Sequence, residues 1–300
     1  MMNLKQIEFA LAVAEERSFT GAARRCHTVQ SALSHQVARL EEELGTPLFA
    51  RTSRRVCLTS AGEAFVRQAY TALEAVRRIP QAVAAAIGEV RGQLSIGAIS
   101  APGSVDIVAL IAAFHERHPQ VEVHLHQSGS DELLAWLHQD RLDVALVGLW
   151  PGARIETLPH LPIARERLVA LLPVGHPLAG CRRLTLAQLA ALPLVGYPRG
   201  SSARLQTDKA FAAADIDYRI RFEVNHLALI VQFVASGMAV GLVPESMADA
   251  QPGVVAIGIE DAPVRVLHAV WPKLASPAAS AFVALLQAAS RGQPDGEQGA

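Results

Sequence analysis

The most constraining feature of the sequence is a pair of short helical patterns near the N-terminus, joined by a three-residue turn. Thr20 can cap the first helix, because its side-chain oxygen can accept a hydrogen bond from a backbone N–H of the first turn. Residues 27–29 form the turn. The second helix runs from about Gln30 to Leu44 and ends at Gly45, since glycine suits the left-handed C-terminal cap of a helix. Two helices joined so closely predict a helix-turn-helix.

The second helix has two chemically different faces. Its apolar face consists of Leu33, Val37, Leu40 and Leu44. The opposite face, with Ser34 at its edge, consists of Ser31, His35, Ala38, Arg39 and Glu42. Short hydrogen-bonding side chains and an imidazole in the first turns suit a helix that enters the major groove and contacts base edges. This face is therefore interpreted as DNA-reading.

A basic hairpin is predicted directly after this helix. Its apolar anchors are Leu48, Phe49, Val56 and Leu58. Three arginines lie near its tip beside Thr52 and Ser53, namely Arg51, Arg54 and Arg55. Such a tip suits contacts with phosphates or with the minor groove. A solvated basic turn is the alternative for the hairpin taken alone, and the preceding helix favours DNA.

The composition limits where such a protein acts. The formal net charge is −1, so an interaction with DNA must arise from local charge, and residues 1–60 hold eight Lys and Arg against six Asp and Glu. The three cysteines, Cys26, Cys57 and Cys181, form no C-x-x-C pair, which indicates a reducing compartment. The N-terminus lacks the features of a signal peptide, and no apolar run reaches the roughly 20 residues that span a bilayer. We therefore expect a cytoplasmic protein.

Residues 61–89 are predicted to form one alanine-rich helix. Its apolar stripe consists of Ala61, Phe65, Ala69, Ala72, Val76 and Ile79. Such a rod has little core of its own, so its stripe needs a partner, and the same helix of a second chain is the natural one. Pro80 is expected to kink the helix or to end it near Ile79.

From Gly92 onward, strand and helix patterns alternate. The predicted strands are 94–99, 121–125, 144–149, 168–172, 194–197, 219–224, 239–243 and 265–271. The predicted helices are 104–117, 130–139, 203–214, 226–237 and 277–291. This alternation favours a mostly parallel, covered sheet, and about 200 residues could hold two α/β lobes. Residues 292–300 are polar and expected to be disordered.

Residues 12–65 resemble the LysR-type transcriptional regulators, a family with a winged helix-turn-helix. The resemblance rests on SFT-x-AA, QSALS, LEEELG-x-PLF-x-R and LT-x-AG in this order. The sequence departs from the family where Val29 replaces a common capping Ser or Thr, so Thr28 is the substitute cap. It departs also where Ser31 replaces a common Pro, where His35 replaces Arg or Gln, and where Cys26 replaces a core Leu. These changes leave the fold intact and the operator sequence open.

The resemblance implies which residues contact DNA. On the recognition helix they are Gln30, Ser31, Ser34, His35 and Arg39. The residues implied to contact phosphates are Ser18, Thr20, Thr28, Arg51, Arg54 and Arg55. Base-edge contacts are assigned to Ser31, Ser34 and His35, whereas Gln30 is also assigned to supporting the helix end.

The region after residue 92 resembles the type 2 periplasmic binding proteins found in the C-terminal part of this family. The resemblance rests on LSIGAI, LDVALVG, LPVGHPLA and VASGMAVGLVPES, among other segments. It implies three domains: a winged helix-turn-helix (1–60), a linker or dimerisation helix (61–91) and an effector-binding domain (92–300). That last domain would have one lobe at 92–161 with 267–300, and another at 162–266, with the ligand between them.

Polar residues follow several predicted strands and open the next helices. They are Ser100, Ser128, Ser130, Ser201, Ser202 and Asn225. Ligands of open α/β sheets bind at such strand ends, where helix N-termini favour negative charge. These residues, with Arg199 as a counter-charge, therefore predict a site for a polar effector such as a small anionic metabolite. The alternative is that the same residues serve only as N-caps.

Other chemistries fit the sequence less well. His115, His118, His124 and His126 could form a metal site, but surface histidines explain them better than the defined ligand sets of zinc sites do. Cys181 has no nearby resolving cysteine for a redox sensor. No catalytic or phosphate-loop motif is present, which argues against an enzyme and a cofactor. A solute-binding protein is opposed by the missing signal peptide and by the first 60 residues.

The resemblance also implies partners. Two chains would pair through their 61–89 helices, family members are commonly tetramers, and each dimer presents a recognition helix to each half-site of double-stranded DNA. Effector binding would shift the lobes or the subunit arrangement, and with it DNA bending and contact with RNA polymerase.

Overall fold

The structure is a computed structural model that describes residues 2–51, 56–103, 105–247 and 252–291. The chain divides into two compact units. The first contains Met1–Val83 and Gln139–Arg141, and the second contains Ala84–His138 and Leu142–Ala300. None of the described helices is both long and apolar enough to cross a membrane.

The N-terminal unit is a small helical domain with a two-stranded hairpin. Its elements are α1 (Leu4–Glu16), α2 (Phe19–Arg25), α3 (Gln30–Leu44), β1 (Phe49–Arg51), β2 (Val56–Leu58) and α4 (Ser60–Ala86). Three side chains of α3, Leu33, Val37 and Leu40, are completely buried in one core with residues of α1, α2 and the hairpin. The apolar stripe of α3 is therefore what attaches this helix to its domain.

Two predicted caps are wrong and one is confirmed. Ser18, rather than Thr20, caps α2, because its Oγ accepts a hydrogen bond from the Gly21 N–H at 3.1 Å. The N-cap of α3 is Val29, and no side chain caps this helix, so Thr28 does not act as the substitute cap. Gly45 ends α3 with a φ of 69°, in the left-handed region that favours glycine.

The long helix α4 continues through Pro80 to Ala86, so of the two expected effects of Pro80, a kink or an end near Ile79, the end is wrong. Its first half packs on α1, where Ala69 and Leu73 are buried together with Ile7 and Leu11. The predicted stripe therefore serves two purposes. Phe65 and Ala69 pack in the core of its own domain, whereas Ala72, Val76 and Ile79 are exposed.

The C-terminal unit is an α/β structure with one long mixed sheet. Its strands are β3 (Gly92–Ala98), β4 (Val121–Gln127), β5 (Val144–Leu149), β6 (His160–Pro173), β7 (Arg183–Leu184), β8 (Leu194–Gly196), β9 (Ile220–Glu223), β10 (Val240–Pro244), β11 (Val254–Ile259) and β12 (Val264–Val270). Its helices are α5 (Ile107–Arg117), α6 (Ser130–His138), α7 (Leu186–Ala190), α8 (Ser202–Ala213), α9 (Leu227–Ala235) and α10 (Pro277–Arg291), and a 3-10 turn covers Glu245–Met247.

Two antiparallel strands join two groups of parallel strands. The sheet order is β4-β3-β5-β12-β6-β10-β8-β9, with β11 on the second half of β6. Strands β3, β4 and β5 are parallel, as are β8, β9 and β10. β12 and β6 are antiparallel to each other and to their outer neighbours. The prediction of a mostly parallel sheet is therefore confirmed within each group, and it is wrong at the centre, where β12 and β6 are antiparallel.

The central strand β6 contacts both groups. Its residues 160–167 pair with β12, and its residues 168–173 pair with β10 and β11. The first group packs with α5 and α10 around Leu94, Ile96 and Phe282. The second forms a separate core that includes Leu194, Phe211 and Val240. We call these groups the first lobe and the second lobe.

Candidate nucleic-acid interface and ligand cleft

Helix α3 presents a polar surface on the side opposite its buried residues. Ser31, His35 and Arg39 are exposed and Ser34 is half-buried, whereas Leu33 and Val37 have no exposed surface. The orientation of the helix agrees with its sequence pattern. Leu44 is the exception, because it lies in the last turn and is 41% exposed rather than buried.

The remaining residues predicted to contact DNA have mixed positions. Gln30 and Thr20 are exposed, and Thr28 is half-buried. Ser18 acts as the α2 cap described above, so its hydroxyl oxygen already accepts one hydrogen bond. Arg54 and Arg55 lie outside the described residues, and Arg51 is described only as the last residue of β1.

The hairpin is attached to the end of α3 by a residue that the sequence analysis did not single out. Glu41 Oε1 accepts hydrogen bonds from the backbone N–H groups of Leu48 at 2.7 Å and Phe49 at 3.1 Å. Phe49 pairs with Leu58 in the two strands. Glu41, the first glutamate of LEEELG, thus fixes the position of the hairpin. The sequence signal for this contact was the spacing of seven residues between Glu41 and Leu48.

The start of α4 holds the other side of the hairpin. The Thr59 hydroxyl donates to the carbonyl oxygen of Pro47 at 2.8 Å and accepts from the Gly62 N–H at 3.0 Å. Gly62 approaches the backbone so closely that an added Cβ would lie 2.1 Å from the Leu48 carbonyl oxygen. The LT-x-AG motif is therefore a capped helix start that lies directly against Leu48, the residue before β1.

The C-terminal unit contains a cavity of about 290 Å³ lined by both lobes. Five of the predicted effector residues line it, namely Ser100, Ser128, Ser130, Ser201 and Asn225. Ser202 and Arg199 are not among its lining residues, and Arg199 is exposed. Apolar side chains from both lobes, including Ile99 and Val195, complete its wall.

The lining serines already have hydrogen-bond partners. Ser130 Oγ donates to the Gly148 carbonyl oxygen and accepts from the Gly148 N–H, both at 3.1 Å. Ser128 donates to Glu132, and Ser100 hydrogen-bonds with Tyr197. Burial raises the pKa of Tyr197, so its phenol stays protonated at neutral pH. These serines shape the cavity and contribute few free donors.

Only some of the polar residues open helices as predicted. Ser201 caps α8, because its Oγ accepts from the Arg204 N–H at 3.3 Å. The N-cap of α9 is His226 and not Asn225, and no side chain caps this helix. Helix α5 is capped by Asp106, six residues after Ser100. Asn225 and Ser100 therefore line the cavity without serving as caps.

Two buried arginines in the cavity wall were missed by the sequence analysis. Arg204 Nε lies 2.7 Å from the Tyr218 hydroxyl and 2.8 Å from Asp208 Oδ1, and another of its nitrogens lies 3.5 Å from Glu223 Oε1. The sequence signal for the Arg204–Asp208 pair was its spacing of four residues, which brings two side chains together on one face of a helix.

The second arginine belongs to the strand that links the lobes. Arg265 on β12 lies opposite Glu166 on β6, and its guanidinium approaches Glu166 Oε2 to 2.6 Å. It also donates to the Ala101 carbonyl oxygen at 2.7 Å. Both side chains are more than nine-tenths buried. Nothing in the local sequence distinguishes these residues from ordinary surface charges, because their pairing depends on strand register.

The other candidate chemistries find no support in the described part of the chain. Cys26 and Cys181 are half-buried and Cys57 is exposed, and none of the three lines the cavity. Nε2 of His124 lies 2.9 Å from Oε1 of Glu122, its neighbour on β4. Among the described residues, no three side chains of metal-binding type lie together.

Comparison with protein-family models gives two matches. Residues 4–63 match the bacterial regulatory helix-turn-helix protein of the lysR family, and residues 88–291 match the LysR substrate binding domain. Together the two matches cover most of the chain, and their boundary falls within or just beyond α4.

Relatives and solved structures agree with these matches. The chain is 32% identical to the DNA-binding transcriptional dual regulator OxyR of Escherichia coli over 81% of this chain and 79% of that protein. It is 32% identical to a hydrogen peroxide-inducible genes activator of Pectobacterium carotovorum over 81% of this chain and 80% of the relative. The full-length structure of CbnR with its target DNA covers 96% of this chain and 99% of its own, with 27% identity and a TM-score of 0.71.

Proposed function

Because this chain belongs to the LysR family of bacterial transcriptional regulators, which bind DNA through one domain and a small-molecule effector through another, we propose that α3 is its recognition helix. The observation that carries this proposal is the burial pattern of α3. Its leucines and valine attach it to the domain, while short polar side chains remain at its outer surface. A helix with that surface can enter the major groove without long side chains holding it away from the bases.

Three residues of this surface are assigned to base edges. Ser31 and Ser34 can donate to or accept from bases, and His35 adds a ring nitrogen of either kind. Gln30, at the start of α3, and Arg39, two turns further along, are assigned to the edges of the site. Contacts with phosphates are assigned to Ser18, Thr20, Thr28 and the hairpin arginines Arg51, Arg54 and Arg55.

Substituting a base-contacting residue is expected to weaken specific binding. The Ser34→Ala and His35→Ala variants should each lose about 1–3 kcal/mol of binding free energy on the operator, with little change on unrelated DNA. Fluorescence anisotropy with both duplexes measures this, after sequencing of genomic fragments captured by the purified protein has supplied the operator.

A phosphate contact provides the comparison. The Arg54→Ala variant should lower affinity for operator and unrelated DNA alike, and should reduce the slope of log affinity against log salt by about one unit. Unchanged affinity and unchanged sequence preference in both Ser34→Ala and His35→Ala would show that α3 does not read bases.

We also propose that two copies of the chain pair through the exposed half of α4. Val76, Ile79 and Val83 recur at helical spacing and are 38%, 60% and 60% exposed. A continuous apolar row at the surface is unfavourable in water, and pairing with the identical row of a second copy would bury it. A two-fold dimer presents two recognition helices to two half-sites, which agrees with DNA binding. Further association into a tetramer is part of the same proposal.

Breaking this row is expected to separate the copies. The Ile79→Glu variant should sediment as a smaller species than the unchanged protein, because pairing would bury an unpaired carboxylate. It should also bind a two-half-site operator more weakly. Arg77→Glu serves as the control, since Arg77 is exposed on the same helix outside the apolar row. An oligomeric state that is unchanged by Ile79→Glu would refute pairing through this surface.

The cavity between the lobes is proposed as the effector site. Five of the seven residues predicted for it line the wall. The sequence predicts a polar effector such as a small anionic metabolite, with Arg199 as its counter-charge. Arg199 does not line the cavity, and the two arginines that do are paired with carboxylates. We therefore assign no ligand contact to Arg199 and propose a polar effector.

Although the chain is similar to hydrogen peroxide-inducible activators, we do not propose that its cavity senses peroxide. Peroxide chemistry in proteins acts on accessible thiolates. None of the three cysteines lines the cavity: the exposed Cys57 lies with Cys26 in the N-terminal unit, and Cys181 packs beside the core of the second lobe. We therefore propose a reversibly bound effector instead of a thiol switch.

The remaining features of the proposal follow from regulation of transcription. The protein acts at the nucleoid, in the cytoplasm, without enzymatic activity of its own. The bound effector biases the arrangement of the lobes, and this changes contact with RNA polymerase.

A further inference from the structure

The N-terminus of α8 faces the cleft, and both hydrogen-bond donors of its first residue are occupied. Ser202 is the first residue of this twelve-residue helix. Its backbone N–H donates to Asp131 Oδ2 at 2.8 Å, and its hydroxyl donates to Asp131 Oδ1 at 2.6 Å. Both oxygens of one carboxylate are thus used at the N-terminus of one helix, which is the position where an anion is most strongly favoured.

The carboxylate comes from the opposite lobe. Asp131 is the second residue of α6, which follows β4 of the first lobe, whereas α8 follows β8 of the second lobe. Asp131 also lines the cavity. The two hydrogen bonds therefore cross the cleft, and they connect the lobes at a site where a bound ligand would contact both.

The other positive groups of the cavity are matched in the same way. Arg204 is paired with Asp208 and approaches Glu223, and Arg265 is paired with Glu166. Both arginine side chains are 6% exposed. An anionic effector that entered this cavity would find both arginines and the first residue of α8 already paired with carboxylates of the chain.

We propose that Asp131 determines effector specificity by acting as an internal anion for the α8 N-terminus. This inference rests on the proposed effector site between the lobes. An effector with a carboxylate or phosphate at that end would have to displace Asp131 and leave its charge facing another anion. The cavity therefore selects effectors that carry no negative group there, while Asp131 and Ser202 hold the lobes together.

The test replaces the internal anion with one from solution. Acetate has the chemical structure of the aspartate side chain, so it can occupy the position that the Asp131→Ala variant vacates. The melting temperature of the full-length protein is measured against sodium acetate, with sodium chloride at equal ionic strength as the reference. We expect the variant to bind acetate about two- to fivefold more tightly than the unchanged protein, because the Asp131 carboxylate of the unchanged protein already occupies the position.

Two further variants locate the effect. Glu132→Ala removes the same charge from the next residue of α6 and should not respond to acetate. Ser202→Pro removes both donors, and proline is favoured at the first helical position. Ser201, with φ −77° and ψ 148°, already has the extended conformation that precedes proline. Adding Ser202→Pro to Asp131→Ala should abolish the acetate response.

Several results would overturn the inference. They are acetate stabilisation of the unchanged protein equal to that of Asp131→Ala, an equal response of Glu132→Ala, and a response that survives Ser202→Pro. Because the melting temperature is measured without DNA, these results are independent of whether the protein binds an operator.

Discussion

The Arg265→Ala variant is expected to lose about 3–5 kcal/mol of unfolding free energy in the C-terminal domain. The substitution leaves the Glu166 carboxylate, whose side chain is 9% exposed, without its partner at 2.6 Å. It also removes the donor to the Ala101 carbonyl oxygen. A buried charge without a partner is far more costly than the ion pair is favourable, because the desolvation penalty remains after the attraction is lost.

Urea unfolding followed by tryptophan fluorescence measures this loss for one domain. All three tryptophans, Trp136, Trp150 and Trp271, belong to the C-terminal unit, so the signal reports that unit alone. The double variant Arg265→Met with Glu166→Leu is the control, since an apolar pair of similar volume leaves no charge buried. It should recover most of the lost stability. A double variant less stable than Arg265→Ala would show that the charge is not the cause.

The Gly62→Ala variant is expected to destabilise the N-terminal domain by about 1–3 kcal/mol and to weaken DNA binding. The new Cβ would lie 2.1 Å from the Leu48 carbonyl oxygen, a backbone atom that already accepts from the Thr59 N–H at 2.9 Å. The start of α4 and the segment at Leu48, just before β1, must then separate. The hairpin would move relative to α3, the proposed recognition helix, and the two could no longer contact one duplex in register.

Thermal unfolding by circular dichroism and operator binding by anisotropy measure the two effects of Gly62→Ala. Gly21→Ala is the matched control in the same domain, because its new Cβ would meet mainly the flexible Glu16 side chain at 3.2 Å. Alanine inside a helix also gains about 0.5–1 kcal/mol over glycine. Equal behaviour of the two variants would contradict the role of the close approach at Gly62.

The N-terminal domain could be predicted closely because its signals are local. The period of Leu33, Val37 and Leu40 determines which side of α3 is buried, and Gly45 marks its end at a position only glycine adopts readily. Capping was predicted less well. Ser18 and Thr20 are both good caps, and two residues of difference in where a helix begins decide between them.

The cleft could be predicted only in outline. Serines after strands indicated its position, because strand ends and helix starts are readable from pattern. Its charges could not be predicted, because Arg265 with Glu166 and Asp131 with Ser202 are separated by 99 and 71 residues. Such pairs depend on the register of β12 against β6 and on how the lobes face each other, which no local pattern encodes.

The order in which the chain is synthesised has a consequence for the first lobe. Strand β12 lies between β5 and β6 in the sheet, and α10 contributes Phe282 to the core of β3 and β5. Both elements follow every other described strand and helix. The first lobe therefore stays incomplete on the ribosome until residues 264–291 have emerged, while the helices of the N-terminal domain can already fold. A nonsense codon shortly before residue 264 would release a DNA-binding domain attached to an unfinished sensor.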